Sequence, residues 1–181
     1  MRAVMALSGG MDSTGLLVHL LSKGYNVSCI SYEYGQKHNI ELERAKANIA
    51  YLAQKGYVVE HQVADLSSAM GLSYSALTSD DIEVPEGHYE EEQMKATVVP
   101  NRNAIFASIL YGYALSVALR EDSDVIIALG VHSGDHAIYP DCRPEFYDAI
   151  GNAFSVGNWD SEKVSFHLSL IHISEPTRLR R

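Results

Sequence analysis

Cysteine is scarce in this chain: Cys29 and Cys142 are the 2 present among 181 residues. That excludes a disulfide framework, and two thiolates alone cannot close a tetrahedral zinc site. Positive charge is also short. Lys and Arg total 14 against 23 Asp and Glu, a formal net charge of -9. Such a balance argues against a protein that grips nucleic acid through a broad basic surface and favours a small-molecule substrate. Residues 1–7 are too short an apolar run for a secretory signal, and Ser8-Gly9-Gly10 ends it. No stretch approaches the roughly 20 apolar residues needed to span a bilayer, and no internal repeat is visible. The expected location is cytoplasmic, with no direct nucleic-acid partner and no membrane.

What remains is an ordinary globular composition, 46% hydrophobic and 20% charged, at the length of one domain with a core of its own. Residues 3–7 form a short apolar run stopped by a Gly pair, which predicts a buried parallel strand. Residues 13–22 place Leu16, Leu17, Leu20 and Leu21 at helical spacing, with Gly24 as the cap. A second strand is predicted over 26–34, a helix over 41–54 closed by Gly56, and a third strand over 57–63. Residues 65–96 lack periodicity, a length that predicts a lid or binding loop, with Glu90, Glu91 and Glu92 as a solvated surface of it. A helical stripe returns over 104–119, a strongly apolar strand over 124–131, a helix from Pro144 and a strand over 164–167. The order predicts an α/β fold of three layers, helices on both faces of a parallel sheet.

The first strand-to-helix turn reads Ser8-Gly9-Gly10-Met11-Asp12-Ser13. Two glycines let main chain pass close to a ligand, and the helix that follows presents its N-terminus at the same spot. Unpaired N–H groups and the helix dipole favour a multiply charged anion there. Ser8 and Ser13 add hydroxyls, and Asp12 is placed to hold a Mg²⁺ that offsets phosphate charge. The turn carries no lysine, so it is not the Walker-type loop, and it is not G-x-G-x-x-G. The same letters also fit a plain tight turn with Asp12 or Ser13 as N-cap.

These residues match the S-G-G-x-D-S signature of the PP-loop ATP pyrophosphatases. Three further segments narrow the resemblance. They are Tyr34-Gly35-Gln36-Lys37-His38, Pro100-Asn101-Arg102-Asn103, and Gly130-Val131-His132 leading into Tyr139-Pro140-Asp141-Cys142-Arg143-Pro144-Glu145-Phe146. In this order they resemble the 7-cyano-7-deazaguanine synthase family. The resemblance implies an adenine nucleotide alpha hydrolase-like, Rossmann-like PP-loop fold. It also implies a carbon–nitrogen ligase that uses ATP to convert 7-carboxy-7-deazaguanine and ammonia, through an adenylate, to 7-cyano-7-deazaguanine for queuosine-type deazapurine synthesis. Nucleotide contacts are implied along Leu7, Ser8, Gly9, Gly10, Met11, Asp12, Ser13, Thr14, Gly15, Leu16 and Leu17. Catalytic roles fall to Asp12, Arg102, Asp141 and Arg143, and substrate contacts to Gln36, His38, Asn103, Asp135, His136 and Tyr139. Several of these keep a plainer reading: Pro140-Asp141 is a common turn pair, Arg143 can simply pair with Glu145, and His38 can be the solvated start of a helix.

The chain departs from the family after residue 167. The family's four zinc-binding cysteines are absent, and residues 168–181 resemble translated adapter read-through rather than a natural protein end. The expectation is therefore a synthase domain over 1–167 and a non-native tail over 168–181. Zn²⁺ belongs to the longer family members, as does a homodimer. Three alternatives stand beside the nitrile-forming ligase: another PP-loop amide ligase, a tRNA thiolase (disfavoured by the lack of sulfur-carrying cysteines), and a nucleotide-binding fragment without turnover.

Overall fold

The computed structural model describes residues 1–35, 40–72, 99–131 and 139–170. Its centre is a five-stranded, all-parallel sheet in the order β3-β2-β1-β4-β5. The strands are β1 (Arg2–Ala6), β2 (Asn26–Glu33), β3 (Val59–Asp65), β4 (Val125–Val131) and β5 (Val164–Leu170). The helices are α1 (Met11–Ser22), α2 (Ile40–Gln54), the single turn α3 (Ser67–Met70), α4 (Arg102–Glu121) and α5 (Pro144–Gly157).

Alternation along β1 explains the three layers. Ala3, Met5 and Leu7 pack with Leu16, Leu17 and Leu20 of α1 and Ala45 and Leu52 of α2. Val4 faces the other way, into a cluster with Leu110, Ala114 and Val117 of α4. A strand buried on both faces has no polar side to show, which is why β1 reads as a continuous apolar run. Helix α1 ends where Gly24 takes φ +79, a left-handed turn that costs glycine nothing, and Tyr25 N–H then closes onto Leu20 O at 3.1 Å. At the amino end of the sheet Arg2 pairs with Glu60 and Glu121 and donates to Ser28 Oγ, tying β1 to β2, β3 and α4.

Several boundaries move from those read in the sequence. β3 starts two residues later and runs through Asp65, α4 begins at Arg102 rather than 104, and β5 extends three residues past 167, to Leu170. By length and composition α4 also qualifies as a helix able to cross a membrane, which corrects the expectation that no stretch does. Its apolar side is used within the fold: Ala107, Leu110, Tyr111, Ala114, Val117 and Ala118 are all buried, facing the cluster under β1 and β4. The predicted lid over 65–96 begins with the end of β3 and α3, and its remainder from residue 73 lies outside the described residues.

Candidate active site at the switch point of the sheet

The sheet reverses its winding between β1 and β4, so the crevice beyond their carboxyl ends is where an open α/β sheet receives a ligand. The chain segment after β1 builds its floor. After β1, Leu7 is the last residue held by the sheet, its N–H donating to Ile30 O at 2.9 Å. Ser8, Gly9 and Gly10 then turn the chain into α1. Gly10 is the N-cap, extended at φ -72 and ψ 171, and no side chain caps the helix. Asp12 and Ser13 are therefore first-turn residues and not caps, which removes the plain-turn explanation for their presence. The opening N–H groups of α1 and its positive dipole end face the turn. Ser8 Oγ and Ser13 Oγ stand 3.0 Å apart, Gly10 N–H donates to Ser8 Oγ at 3.3 Å, and Ser13 Oγ donates to Gly10 O at 3.3 Å.

Gly9 has a different task from the one its place in the motif suggests. It sits at φ +80, and a Cβ there would lie 2.6 Å from both Ala45 N and Glu41 O of α2. The first glycine is thus demanded by close packing of the turn on a helix. Ligand access falls to Gly10, whose added Cβ would meet only Ser8 Oγ, at 3.3 Å.

A cavity of about 340 Å³ opens over this turn, within the usual range for small-molecule sites. Ser8 and Ser13 form one wall, Arg102, Asn103 and Phe106 of α4 a second, Leu129 and Gly130 of β4 a third, and Cys142 and Tyr147 a fourth. Asn103 Nδ2 approaches Cys142 Sγ at 3.7 Å. A smaller hollow of about 120 Å³ adjoins it across Ser8 and Phe106 and is lined by Tyr32, Tyr34 and Glu41. The Tyr32 and Phe106 rings stack with centroids 4.0 Å apart and planes 7° from parallel. Tyr32 OH donates to Phe106 O at 2.9 Å, which locks the pair. The Arg102 guanidinium lies 5.9 Å from the centre of the Tyr34 ring.

The structure therefore gathers Ser8, Ser13, Arg102, Asn103 and Cys142, drawn from three separate motifs, into one cavity. Asp12 and Thr14 are half-buried in the first turn of α1 but are not among the described walls of the cavity, and Asn48 Nδ2 donates to Thr14 Oγ1 at 2.9 Å. Met11 and Gly15 are on the exposed side of α1. Leu16 and Leu17 need correction as nucleotide contacts, whereas Leu7 lines the smaller hollow beside the turn. All three side chains are 0–1% exposed, and Leu7 already uses its N–H and its carbonyl within the fold. What Leu16 and Leu17 supply is the packing that seats the turn. Tyr139, Asp141 and Arg143 flank the cavity in sequence but are not among its described walls. Arg143 is instead the N-cap residue of α5, its carbonyl accepting from Phe146 N–H at 3.1 Å. Gln36, His38, Asp135 and His136 lie outside the described residues.

Tyr147 is a wall residue that sequence reading missed, one position past the motif it quoted. Burial, with Cys142 and Asp141 nearby, pushes its phenol above the ordinary tyrosine range, so it faces the cavity as a neutral hydroxyl. The zinc expected of longer relatives finds no fit among the described residues: no cluster of three candidate ligands exists. Cys29 is buried, and burial pushes its thiol up to about 12. A thiol so far from ionisation is a core side chain, not a ligand.

A histidine of β3 is linked through Ser31 to Leu7, the residue before the turn. Ser31 Oγ contacts His61 Nε2 at 2.8 Å, and burial, with Lys46 nearby, holds the His61 pKa below its ordinary 6.5. The sign follows: as pH falls from above 6.5 toward the lower folded value, the unfolded chain takes up a proton that the folded chain refuses. Melting temperature is expected to decline over that window, and His61→Gln to flatten that part of the slope. Melts at several pH values on both proteins measure it, and equal slopes would contradict it.

The sequence profile of "Queuosine biosynthesis protein QueC" matches residues 2–179. A 7-cyano-7-deazaguanine synthase of Methanoregula boonei is 46% identical over 160 residues, covering 88% of this chain and 69% of the relative. One of Caldicellulosiruptor bescii is 46% identical over 159 residues, covering 88% and 67%. This chain thus spans about two thirds of their length. Among solved structures, a predicted subunit of tRNA methyltransferase from Methanocaldococcus jannaschii aligns over 97% of this chain and 70% of its own, with TM-score 0.54 and 15% identity. At that identity the likeness speaks for the fold alone. The chain belongs to the QueC family.

Proposed function

Starting from that membership, we propose that the chain converts 7-carboxy-7-deazaguanine, ammonia and ATP to 7-cyano-7-deazaguanine through an adenylated intermediate. A carboxylate is a poor electrophile because its leaving group would be oxide. Attack of the carboxylate oxygen on the α-phosphorus of ATP releases pyrophosphate and leaves AMP as the leaving group. Ammonia adds to the activated carbon, AMP departs, and the amide forms. A second ATP adenylates the amide oxygen with release of pyrophosphate, and loss of AMP and protons then gives the nitrile.

The observation that carries this reading is the convergence of the Ser8–Ser13 turn and Arg102 on one cavity. The turn offers main-chain N–H groups and two hydroxyls to pyrophosphate, with the dipole of α1 behind them. Arg102, whose planar fork matches phosphate or carboxylate bidentately, neutralises charge from the opposite wall. Asn103 and Tyr147 supply neutral polar groups near the reacting end. The aromatic hollow around Tyr32, Tyr34 and Phe106 is suited to a flat ring. Mg²⁺ is characteristically held by one or two carboxylates plus substrate phosphates; Asp12, in the first turn of α1, would hold it in this reading, and the ion would supply charge neutralisation on the phosphates.

The direct test supplies 7-carboxy-7-deazaguanine, ammonium and Mg-ATP. Nitrile together with AMP is the expected result. Activity on a different acid would point to another amide ligase, and nucleotide binding without turnover would leave only a binding fragment; either outcome removes this reading.

A further inference from the structure

We infer that Ser31 and His61 form a hydrogen-bonded relay that fixes the carbonyl of Leu7, and through it the set of the phosphate-binding turn, making both of them positioning residues for nucleotide binding. The inference rests on the proposed role of the Ser8–Ser13 turn. The β1–β2 ladder ends at Ala6 and Ile30, so Leu7 lies one residue beyond its last pair. Leu7 is nevertheless held on both sides of its peptide: its N–H donates to Ile30 O at 2.9 Å, and its carbonyl accepts from Ser31 Oγ at 2.6 Å. The next residue is Ser8, half of the hydroxyl pair that opens the cavity.

Proton counting fixes the direction of the relay. A serine hydroxyl has one proton to give, and Ser31 gives it to Leu7 O. Its 2.8 Å contact with His61 Nε2 must therefore be one in which it accepts, so Nε2 carries the hydrogen. The chain of donation runs His61 to Ser31 to Leu7. Ser31 is 1% exposed, in a strand whose neighbours Ile30 and Tyr32 are core residues. A valine would fill that position more cheaply, since a buried hydroxyl must be fully satisfied to be tolerated. Here both of its partners belong to a line that ends on the turn. His61 reaches Ser31 from β3, where Cys29 is its opposite number and Val63 faces Ser31. The contact is diagonal, between side chains on one face of the sheet.

Binding of a non-hydrolysable ATP analogue to the 181-residue chain, followed by calorimetry with melting temperatures alongside, tests the relay. Ser31→Ala and His61→Leu should each weaken binding about threefold to tenfold, the range of one net hydrogen bond. Combined, they should weaken it no more than either alone, because they break one line. Ser31→Thr keeps the hydroxyl and His61→Gln keeps a donor at the Nε2 position; both should bind within about twofold of the unaltered chain. A role confined to the core would shift melting without that pattern of rescue. Should Ser31→Ala fail to fold, Ser31→Cys, a weak donor of similar size, takes its place and should still weaken binding. Unchanged affinity in the loss variants, with the unaltered chain binding normally, overturns the relay alone. Failure of the unaltered chain to bind overturns the reading of the turn and the relay with it.

Discussion

Gly9→Ala is expected to destabilise the folded chain by about 3–5 kcal/mol, from left-handed backbone strain and overpacking together. Both causes are geometric. At φ +80 an alanine is strained before it touches anything, and its methyl would then stand 2.6 Å from Ala45 N and Glu41 O. These are main-chain atoms of a helix, and no rotamer change can move them away. The loss is a large share of the ~5–15 kcal/mol that holds a typical domain together. It should lower the melting temperature by on the order of 10 °C, and any surviving fold should lose nucleotide binding because the turn is displaced from α2. Gly15→Ala is the control. Gly15 is in the same helix-forming segment with nothing within 4 Å of its added Cβ, so alanine should stabilise by about 0.5–1 kcal/mol. A Gly9→Ala protein that melts within about 2 °C of the unaltered chain would refute the packing account of the motif's first glycine.

Arg102→Ala carries the largest expected effect on turnover, a loss of about 10²–10³ in rate, the scale for removing one preorganised electrostatic contact to a transition state. Arg102 opens α4, immediately after Asn101 at φ 61. Its guanidinium is placed across the cavity from Ser8 and Ser13, against Tyr34. Arg102→Lys retains the charge but not the planar fork, so it should recover only part of the rate. The melting temperature should hardly move, because the side chain is half-buried at the start of a helix whose apolar side is untouched. A large drop in melting temperature with the rate per folded molecule preserved would reassign Arg102 to structure.

The fold was legible wherever burial imposes a period. β1 and β4 read as apolar runs because helices cover both their faces, and α1 and α4 read through their buried stripes. Legibility failed at the edge of the sheet. β3 has no fully buried residue along its length, so its apolar signal is faint and its limits slid by two residues. The start of α4 was hidden because Arg102 and Asn103 are polar residues of the cavity wall and give no apolar signal, and only the left-handed backbone at Asn101 reveals where the helix begins.

In the site, the turn was readable because its chemistry is local: glycines, hydroxyls and a helix end within six residues. Extending nucleotide contacts to Leu16 and Leu17 failed because both lie on the side of α1 that packs on the sheet, with their side chains buried in the core. Tyr147, the Tyr32–Phe106 stack and the Ser31–His61 line were invisible because the first two depend on how helices seat on the sheet and the third on which strand lies beside which. Two serines flanked by core residues in β2, Ser28 and Ser31, were the clue, and their meaning needed the register with β3.

The most direct measurement is a crystal structure of this chain with a non-hydrolysable ATP analogue. The polyphosphate is expected to rest on the main chain of the Ser8–Ser13 turn, between the two hydroxyls and facing Arg102. A nucleotide bound elsewhere, with that turn closed by its own side chains, would contradict this placement.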